Sequence, residues 1–383
     1  LRLNEKMQGL LDLLLGGGGE GGSPFAVIFN LLFFVFIIFS IFYGQRIQQF
    51  MWLKSIERAL MKLDRWQQEG KVICKLRVSN FSDAPNDEVF ETIEGFLEFF
   101  LIMPVDKDPT GVLNRLEHLM DVRKSRFEDF VARVAPKANE ADSKTLENVI
   151  EATIAVYFIF RIIRHFLLLG KKTKSTFLIM QIYMQLPLIM IFAKAYFEAL
   201  KCFAEGKPIG DGIGPLVAAR LMRGGEPKEV AKEVVAVEKN INNRNVIIVK
   251  AKGPGGTVGK PGLGVKNVID EKEGKVARVI MIDAALKLEG EVTGDVIEGV
   301  GAAIGDPGPE KHKIEESGVK YNIPIDAIIV KQSIEDALTS MKKSIAMSAD
   351  DVIRRIHWII NNQTNEGDTV VVAGIGNTLG VGQ

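Results

Sequence analysis

The chain has 383 residues, 47% of them hydrophobic and 25% charged, with 48 basic side chains against 48 acidic ones. That excludes a disordered, collagenous or polyionic tail protein, and a net charge of zero supplies no basic face for nucleic acid, so no nucleic-acid partner is expected. The two cysteines, Cys74 and Cys202, are far apart and can build neither a disulfide framework nor a zinc ribbon, which suits a reducing compartment.

Leu1, where Met is expected, reads as an unusual start codon translated literally. Residues 1–24 form a Gly-rich N-terminus, and LGGGGEGGSP before the first apolar run cannot hold a helix. Phe25 to Tyr43 is a run without one charge, with Pro24 placed for a helix's first turn. At 1.5 Å per residue it spans about 28 Å, which predicts one transmembrane helix over 25–43. Its end, Phe42-Tyr43-Gly44-Gln45-Arg46, offers no signal-peptidase site. Only Arg2 and Lys6 precede the run, whereas Arg46, Lys54, Arg58, Lys62 and Arg65 follow it. The positive-inside rule therefore predicts a single-pass protein of the cell membrane, N-terminus outside and C-terminal domain cytoplasmic.

A helical domain is predicted over 44–206. Helical spacing runs over Gln45–Gln68, Asn86–Met103, Thr110–Val134 and Ser143–Leu169, with breaks at Pro104, Pro109 and Pro136. Two apolar helices, Val149–Leu169 and Phe177–Leu200, invite a membrane hairpin. Arg161, Arg164 and His165 share a face with Tyr157, however, and the second helix carries Lys194 and Glu198. Such groups cost several kcal/mol in lipid. Packing in a soluble core or between subunits is the expectation, with three spans as the competing reading, and the helical part is expected to make a homo-oligomer.

An α/β domain is predicted over 207–383, giving an α/β fold class: N-terminal transmembrane helix, α-helical middle, and a C-terminal, mostly parallel sheet with helices on both faces. Short β-branched runs at 246–249, 279–282, 327–330 and 370–372 alternate with helical stretches such as Pro227–Glu238 and Ser348–Ile360. The loops after these strands should converge on one site. Gly253, Gly255, Gly256 and Thr257, together with Gly374, Gly376 and Asn377, are the candidate ligand-binding residues. The loop 253–259 is either an anion cradle, with Lys250, Lys252 and Lys260 nearby, or a tight turn forced by its glycines. The four histidines, His118, His165, His312 and His357, are scattered and give no nucleophilic triad.

Asp211-Gly212-Ile213-Gly214-Pro215 resembles the acidic-Gly-x-Gly segment that opens the first helix of hydrogenase maturation proteases and the related spore protease. Gly374-Ile375-Gly376-Asn377 resembles the G-x-G-N turn that ends their first strand. In those families the turn directly precedes the acidic segment, so the resemblance implies a circularly permuted, hydrolase-like domain in which the two segments meet. It also implies that Asp211 and Asp283 are paired catalytic or metal-binding acids, with a divalent metal as the cofactor such a pair would hold. The third ligand of the family, usually histidine, has no counterpart among Gln332, Ser333, Glu335 and Asp336. From the residues alone, Asp211 is equally a helix cap and Asp283 the end of a strand. Over its whole length the chain resembles an archaeal membrane-protein family of unknown function. Two functions compete: an assembly or scaffold protein whose α/β domain binds a ligand, protein or peptide, and a membrane-tethered metal-dependent peptidase-like hydrolase.

Overall fold

The computed structural model describes residues 24–104, 111–305 and 308–383. The Gly-rich N-terminus, with Arg2 and Lys6, lies outside the described residues. The chain divides into two compact units, one of residues 1–62 and 162–187, the other of residues 63–161 and 188–383.

Within the first unit, α1 (Pro24–Ser79) enters from the apolar run, and its segments Ile28–Phe39 and Tyr43–Ser79 meet at 56°. The unit also holds the tip of a hairpin, formed by the end of α4 (Glu140–Thr173) and the start of α5 (Thr176–Glu205). Ile56, Ala59, Ile163, Leu167, Ile179, Ile182 and Leu186 are its buried apolar side chains among the described residues. Trp52 stacks on Tyr183 at 5.9 Å, and Lys171 pairs with Glu57 at 2.5 Å.

By length and composition α4 and α5 are long and apolar enough to cross a membrane, with mean hydropathies of 1.7 and 1.8 over their best windows. The apolar start of α1 qualifies with them if its bent pair of segments counts as one span. Both α4 and α5 carry exposed apolar side chains, among them Phe158, Phe166, Phe177, Met184 and Leu188.

In the second unit the helical core gathers Cys74 and Val78 of α1, Val89 and Ile93 of α2 (Asn86–Phe96), and Phe127, Phe130 and Val131 of α3 (Val112–Val134). Leu146, Ile150 and Val156 of α4 and Phe197, Leu200 and Phe203 of α5 complete it. Phe96 stacks on Phe130 with centroids 3.8 Å apart. Helical spacing suggested a helix to Met103, but α2 stops at Phe96, and Phe99 folds back to stack on that ring at 5.2 Å.

The α/β part carries seven strands: β1 (Lys228–Ala231), β2 (Val234–Ile241), β3 (Arg244–Ala251), β4 (Arg278–Leu286), β5 (Val296–Val300), β6 (Ile325–Gln332) and β7 (Thr369–Gly374). Their order is β1-β2-β3-β7-β4-β6-β5. Strands β3, β7, β4 and β6 are parallel, while β1, β2 and β5 extend the edges antiparallel. One face is covered by α6 (Ile213–Met222) and α10 (Lys343–Gln363), through Val217, Ile356 and Ile360. The other is covered by α7 (Pro261–Glu271) and α8 (Pro309–Tyr321), through Val265, Ile269 and Ile314. A short α9 (Ile334–Leu338) follows β6.

The helix expected at Pro227–Glu238 is instead the hairpin of β1 and β2. Glu233 turns the chain at φ 60°, and Val234, Val235, Ala236 and Val237 are all buried. Buried on both faces, their β-branched side chains fit a pleated strand better than one side of a helix.

The close contact that sets this architecture is between α6 and the ends of the central strands. A Cβ on Gly214 would stand 2.2 Å from the carbonyl oxygen of Ile375 and 2.6 Å from that of Ile282. A Cβ on Gly374 would stand 2.3 Å from the Gly214 carbonyl oxygen. Backbone cannot yield as a side chain can, so Gly214→Ala should cost roughly 3 kcal/mol. Gly299, with open space around it, serves as control, and its alanine variant should stay within about 0.5 kcal/mol of the parent. Denaturant midpoints of the full chain in detergent check this, and equal midpoints for the two variants would contradict it.

Candidate functional site

The parallel strands β3, β7 and β4 end level with one another: Lys250 pairs with Gly374 and Ile282 with Gly374. The chain then turns at Ile375, whose amide donates to the Ile282 carbonyl at 2.8 Å, and Gly376, at φ 131°, takes a conformation L side chains rarely adopt. The next amide, of Asn377, donates to Oδ2 of Asp211 at 2.7 Å. The G-x-G-N turn and the acidic-Gly-x-Gly segment therefore meet, although they lie at opposite ends of the α/β sequence. Asp211 does not cap α6, because Gly212 is the capping residue and no side chain caps it.

Asp283 lies near the carboxyl end of β4, buried, with its carboxylate accepting the amides of Ala284, at 2.7 Å, and Gly305. Burial pushes its pKa up to about 8, and the charge of Asp211 adds to the rise. Burial raises Asp211 too, and the Asn377 amide offsets only part of this. Both acids are therefore pushed toward their neutral forms, chiefly by burial, and the charge of Asp211 is felt at Asp283. Among the described residues no group of three or more His, Cys, Asp or Glu side chains could hold a metal ion. In the region of the missing third ligand, Gln332 is buried and donates to the Gly210 carbonyl at 2.9 Å. Ser333 and Asp336 form a capping box on α9, Asp336 also pairs with Lys342, and Glu335 pairs with Lys194 at 2.8 Å. His312 is exposed on α8.

The loop 253–259 is filled by the segment that follows β7. Thr378 Oγ1 donates to the Gly255 carbonyl at 2.6 Å, the Thr257 amide donates to Thr378 Oγ1 at 3.2 Å, and the Gly380 amide donates to Pro254 at 2.9 Å. A Cβ on Gly253 would stand 1.8 Å from the Val381 carbonyl oxygen. The lysines near this loop are committed elsewhere: Lys252 to Glu140 at 2.7 Å, and Lys260 to Asp121 at 2.7 Å and Glu117 at 3.4 Å. Lys250 is fully buried within the sheet, where its Nζ donates to the Ala251 carbonyl at 3.0 Å. Among the described residues it makes no ion pair, and burial pushes its pKa down to about 8.

Gly256, Thr257 and Asn377 do line a cavity of about 430 Å³ between this edge of the sheet and α3 and α4. Its wall includes Lys124, Glu147, Asn148 and the starts of α7 and α8 at Pro261 and Pro309. Asn148 joins the two sides, donating to the Gly256 carbonyl and accepting from Asn377 Nδ2 at 3.3 Å. Gly253 and Gly255 border a separate hollow of about 250 Å³ with Glu140 and Lys144. Gly374 and Gly376 pack against Gly214 and Asp211 and line neither cavity.

Behind the cavity lies a charge network that sequence spacing gave little reason to expect. Lys144 pairs with Glu128 at 2.8 Å, Glu147 at 3.0 Å and Glu233 at 2.7 Å, and Lys124 also pairs with Glu233. For Glu233 burial works upward, but the two lysines and the Thr257 hydroxyl outweigh it and hold the carboxyl at about 2. Glu147 goes the other way: burial, helped by the charges of Glu128 and Glu233, outweighs Lys144 and pushes it up to about 7. The one available signal was the Lys144-x-x-Glu147 spacing on a helix.

Two stability measurements follow. Asp283 binds a proton more tightly folded than unfolded, so its contribution is intact below about pH 4 and is lost as pH rises from 4 to 8. Asp283→Asn should therefore match the parent near pH 4 and exceed it at pH 9 by several kcal/mol, on the order of 5 at most. Lys250 has the opposite linkage. Its unfolded state binds the proton more tightly, so the penalty is full at pH 7 and fades as pH rises from 8 to 10.5. Lys250→Met should raise stability at pH 7 by about 2–3 kcal/mol, with the gain shrinking toward pH 10. Thermal unfolding of the full chain in detergent across pH reads both, and a pH-independent difference in either variant would refute its assignment.

No curated protein matches the chain. Two family models cover nearly all of it: residues 30–206 match the N-terminal domain of a protein of unknown function (DUF1512), and residues 209–382 match the domain of unknown function (DUF1512) C-terminal. The chain belongs to the DUF1512 family.

Proposed function

We propose that this chain is a membrane-anchored assembly or scaffold protein whose α/β domain, on the cytoplasmic side, binds a small polar ligand or a peptide end at the carboxyl edge of its sheet. The observation that carries the reading is the cavity of about 430 Å³ bounded by Asn377 of the G-x-G-N turn, Gly256 and Thr257 of the glycine loop, and Glu147-Asn148 of α4. It has the size of a small-molecule site, and its wall sets apolar residues such as Met120, Phe127 and Ile304 beside charged ones such as Asp121, Arg123, Lys124 and Glu147. The anchor is the single span 25–43, with the excess of Arg and Lys after it setting the orientation. The first half of α4 and the second half of α5 bury Ile150, Val156, Phe197 and Leu200 in a helical core, which supports keeping them out of the lipid. The exposed apolar side chains of α4 and α5 call for cover, and a second copy of the chain supplies it.

A second reading is favoured by one observation, the charge of Asp211, held by the G-x-G-N turn, acting on the buried Asp283. Two acids whose pKa values are both raised, chiefly by burial, suit a metal-dependent hydrolase of the permuted, peptidase-like kind.

Dialysis of the full chain against Mn²⁺, Zn²⁺ and Ni²⁺, with metal counted by mass spectrometry, separates the two. The binding reading expects no stoichiometric metal dependent on the acids. One ion per chain, lost in both Asp211→Asn and Asp283→Asn, would establish the hydrolase reading instead. Asn377→Ala and Asn148→Ala should release a ligand that co-purifies with the parent in native mass spectrometry. Labelling of single cysteines at Gly18 and Gln68 tests the anchor, since reaction of the second from outside intact cells would overturn the orientation. Mass photometry should give a multiple of 42.3 kDa.

A further inference from the structure

We propose that the tip of the α4–α5 hairpin, together with the start of the long segment of α1, forms a pocket for the phosphate of an anionic lipid headgroup. The site lies within the first unit and is a cavity of about 370 Å³. Arg46, Lys171 and Lys174 supply its charge, and Phe50 and Leu53 supply an apolar wall. Lys172 stands beside them, exposed at the same tip.

The charges are available. Lys171 pairs with Glu57 at 2.5 Å, but among the described residues neither Arg46 nor Lys174 has an ion-pair partner, and both are exposed. Left open to water, like charges at one tip repel. A bound dianion or phosphodiester relieves this and gives each donor an acceptor.

The pocket is built rather than incidental. A Cβ on Gly170 would stand 2.4 Å from Cδ1 of the buried Ile179, so the end of α4 and the start of α5 pack closely here. The Ser175 amide donates to the Gly170 carbonyl at 3.1 Å, and Lys174 takes φ 53°, which fixes the turn bearing the lysines.

Position names the ligand class. Tyr43, stacked on Phe39 at 4.9 Å, closes the uncharged run, and Arg46 comes three residues later on the same helix. Aromatic side chains followed by cations mark the level of lipid headgroups. A phosphate with its glycerol fits both walls, the oxygens on Arg46 and Lys174 and the carbon skeleton on Phe50 and Leu53. A free phosphate would use only the first. This inference rests on the anchor reading for the span at 25–43.

The test is native mass spectrometry of the full chain in maltoside detergent, titrated separately with dioctanoyl-phosphatidylglycerol, dioctanoyl-phosphatidylcholine and inorganic phosphate. One phosphatidylglycerol per chain should bind at least ten-fold more tightly than phosphatidylcholine. In Arg46→Gln/Lys174→Gln affinity should fall about 30-fold, as the loss of two cations facing an anionic headgroup implies. Arg46→Lys, which keeps the charge, should retain binding and guards against misfolding of the double variant. Equal binding of the two lipids, an unchanged affinity in the double variant, or displacement of lipid by phosphate at equal concentration would each overturn the proposal. Alkaline extraction of membranes carrying the parent chain reads the anchor alone, and release there would sink the anchor while leaving the detergent titration to judge the pocket.

Discussion

The central strand of the sheet is contributed by the last strand in the sequence. Strand β7 sits between β3 and β4, pairing Asn245 with Thr369 on one side and Arg278 with Val370 on the other. Everything at the carboxyl edge hangs on that insertion. It carries Gly374 beneath Gly214, sets the Asn377 amide on Asp211, and feeds Thr378 and Gly380 into the loop 253–259. Leu379 goes further and joins the buried cluster of the helical part of the same unit. One strand thus completes the hydrogen-bond ladder of the sheet and ties the segment after it to the helical core. Such pairings are non-local, with a large loop-closure cost recovered only when β3, β7 and β4 are all in place.

The helical part of this unit meets the sheet edge through charge. Lys124 and Lys144 reach Glu233 on the β1–β2 turn, Lys232 on that turn reaches Glu128, and Lys260 and Lys313 reach Glu117. Exposed pairs of this kind contribute little individually, but Lys144, Glu147 and Glu233 are largely withdrawn from water. There the geometry decides which acid stays ionised. Glu233 has two lysines and a hydroxyl and remains charged, whereas Glu147 shares one lysine with two other acids and titrates near neutrality. The cavity therefore has a wall whose charge changes at about pH 7, next to the fixed amide of Asn148.

Much of this was legible in the sequence where a pattern had a single physical meaning. Runs such as Val246-Ile247-Ile248-Val249 and Val370-Val371-Val372 are too short and too β-branched for helices, and they are the four parallel strands. The resemblance carried by Asp211-Gly212-Ile213-Gly214 and Gly374-Ile375-Gly376-Asn377 implied that the two segments meet, and the turn and the acid do meet. The edge strands were hidden. Pro227–Glu238 fits helical spacing as well as a hairpin, and only the partner strand β3 decides between them. The glycine loop was open to two readings, an anion cradle or a tight turn, since glycine reports that something comes close without saying what. Here it is the chain itself, at Val381 and Thr378. Lys250 looked like a loop cation because it ends a strand, yet residue alternation turns it into the sheet's interior.

The two acids at the centre are both pushed toward their protonated forms. With Asp283 at about 8 and Asp211 raised beside it, a metal arriving at neutral pH has first to displace a proton from the pair. The nearby amide of Gln332 is already spent on Gly210 through its nitrogen, and no lysine or arginine is paired with either acid among the described residues. A protonated carboxyl is a donor, and the pair is joined to the cavity by two short backbone routes. The Asn377 amide holds Asp211 while its residue lines the cavity, and the Gly305 amide holds Asp283 next to Ile304, which lines it too.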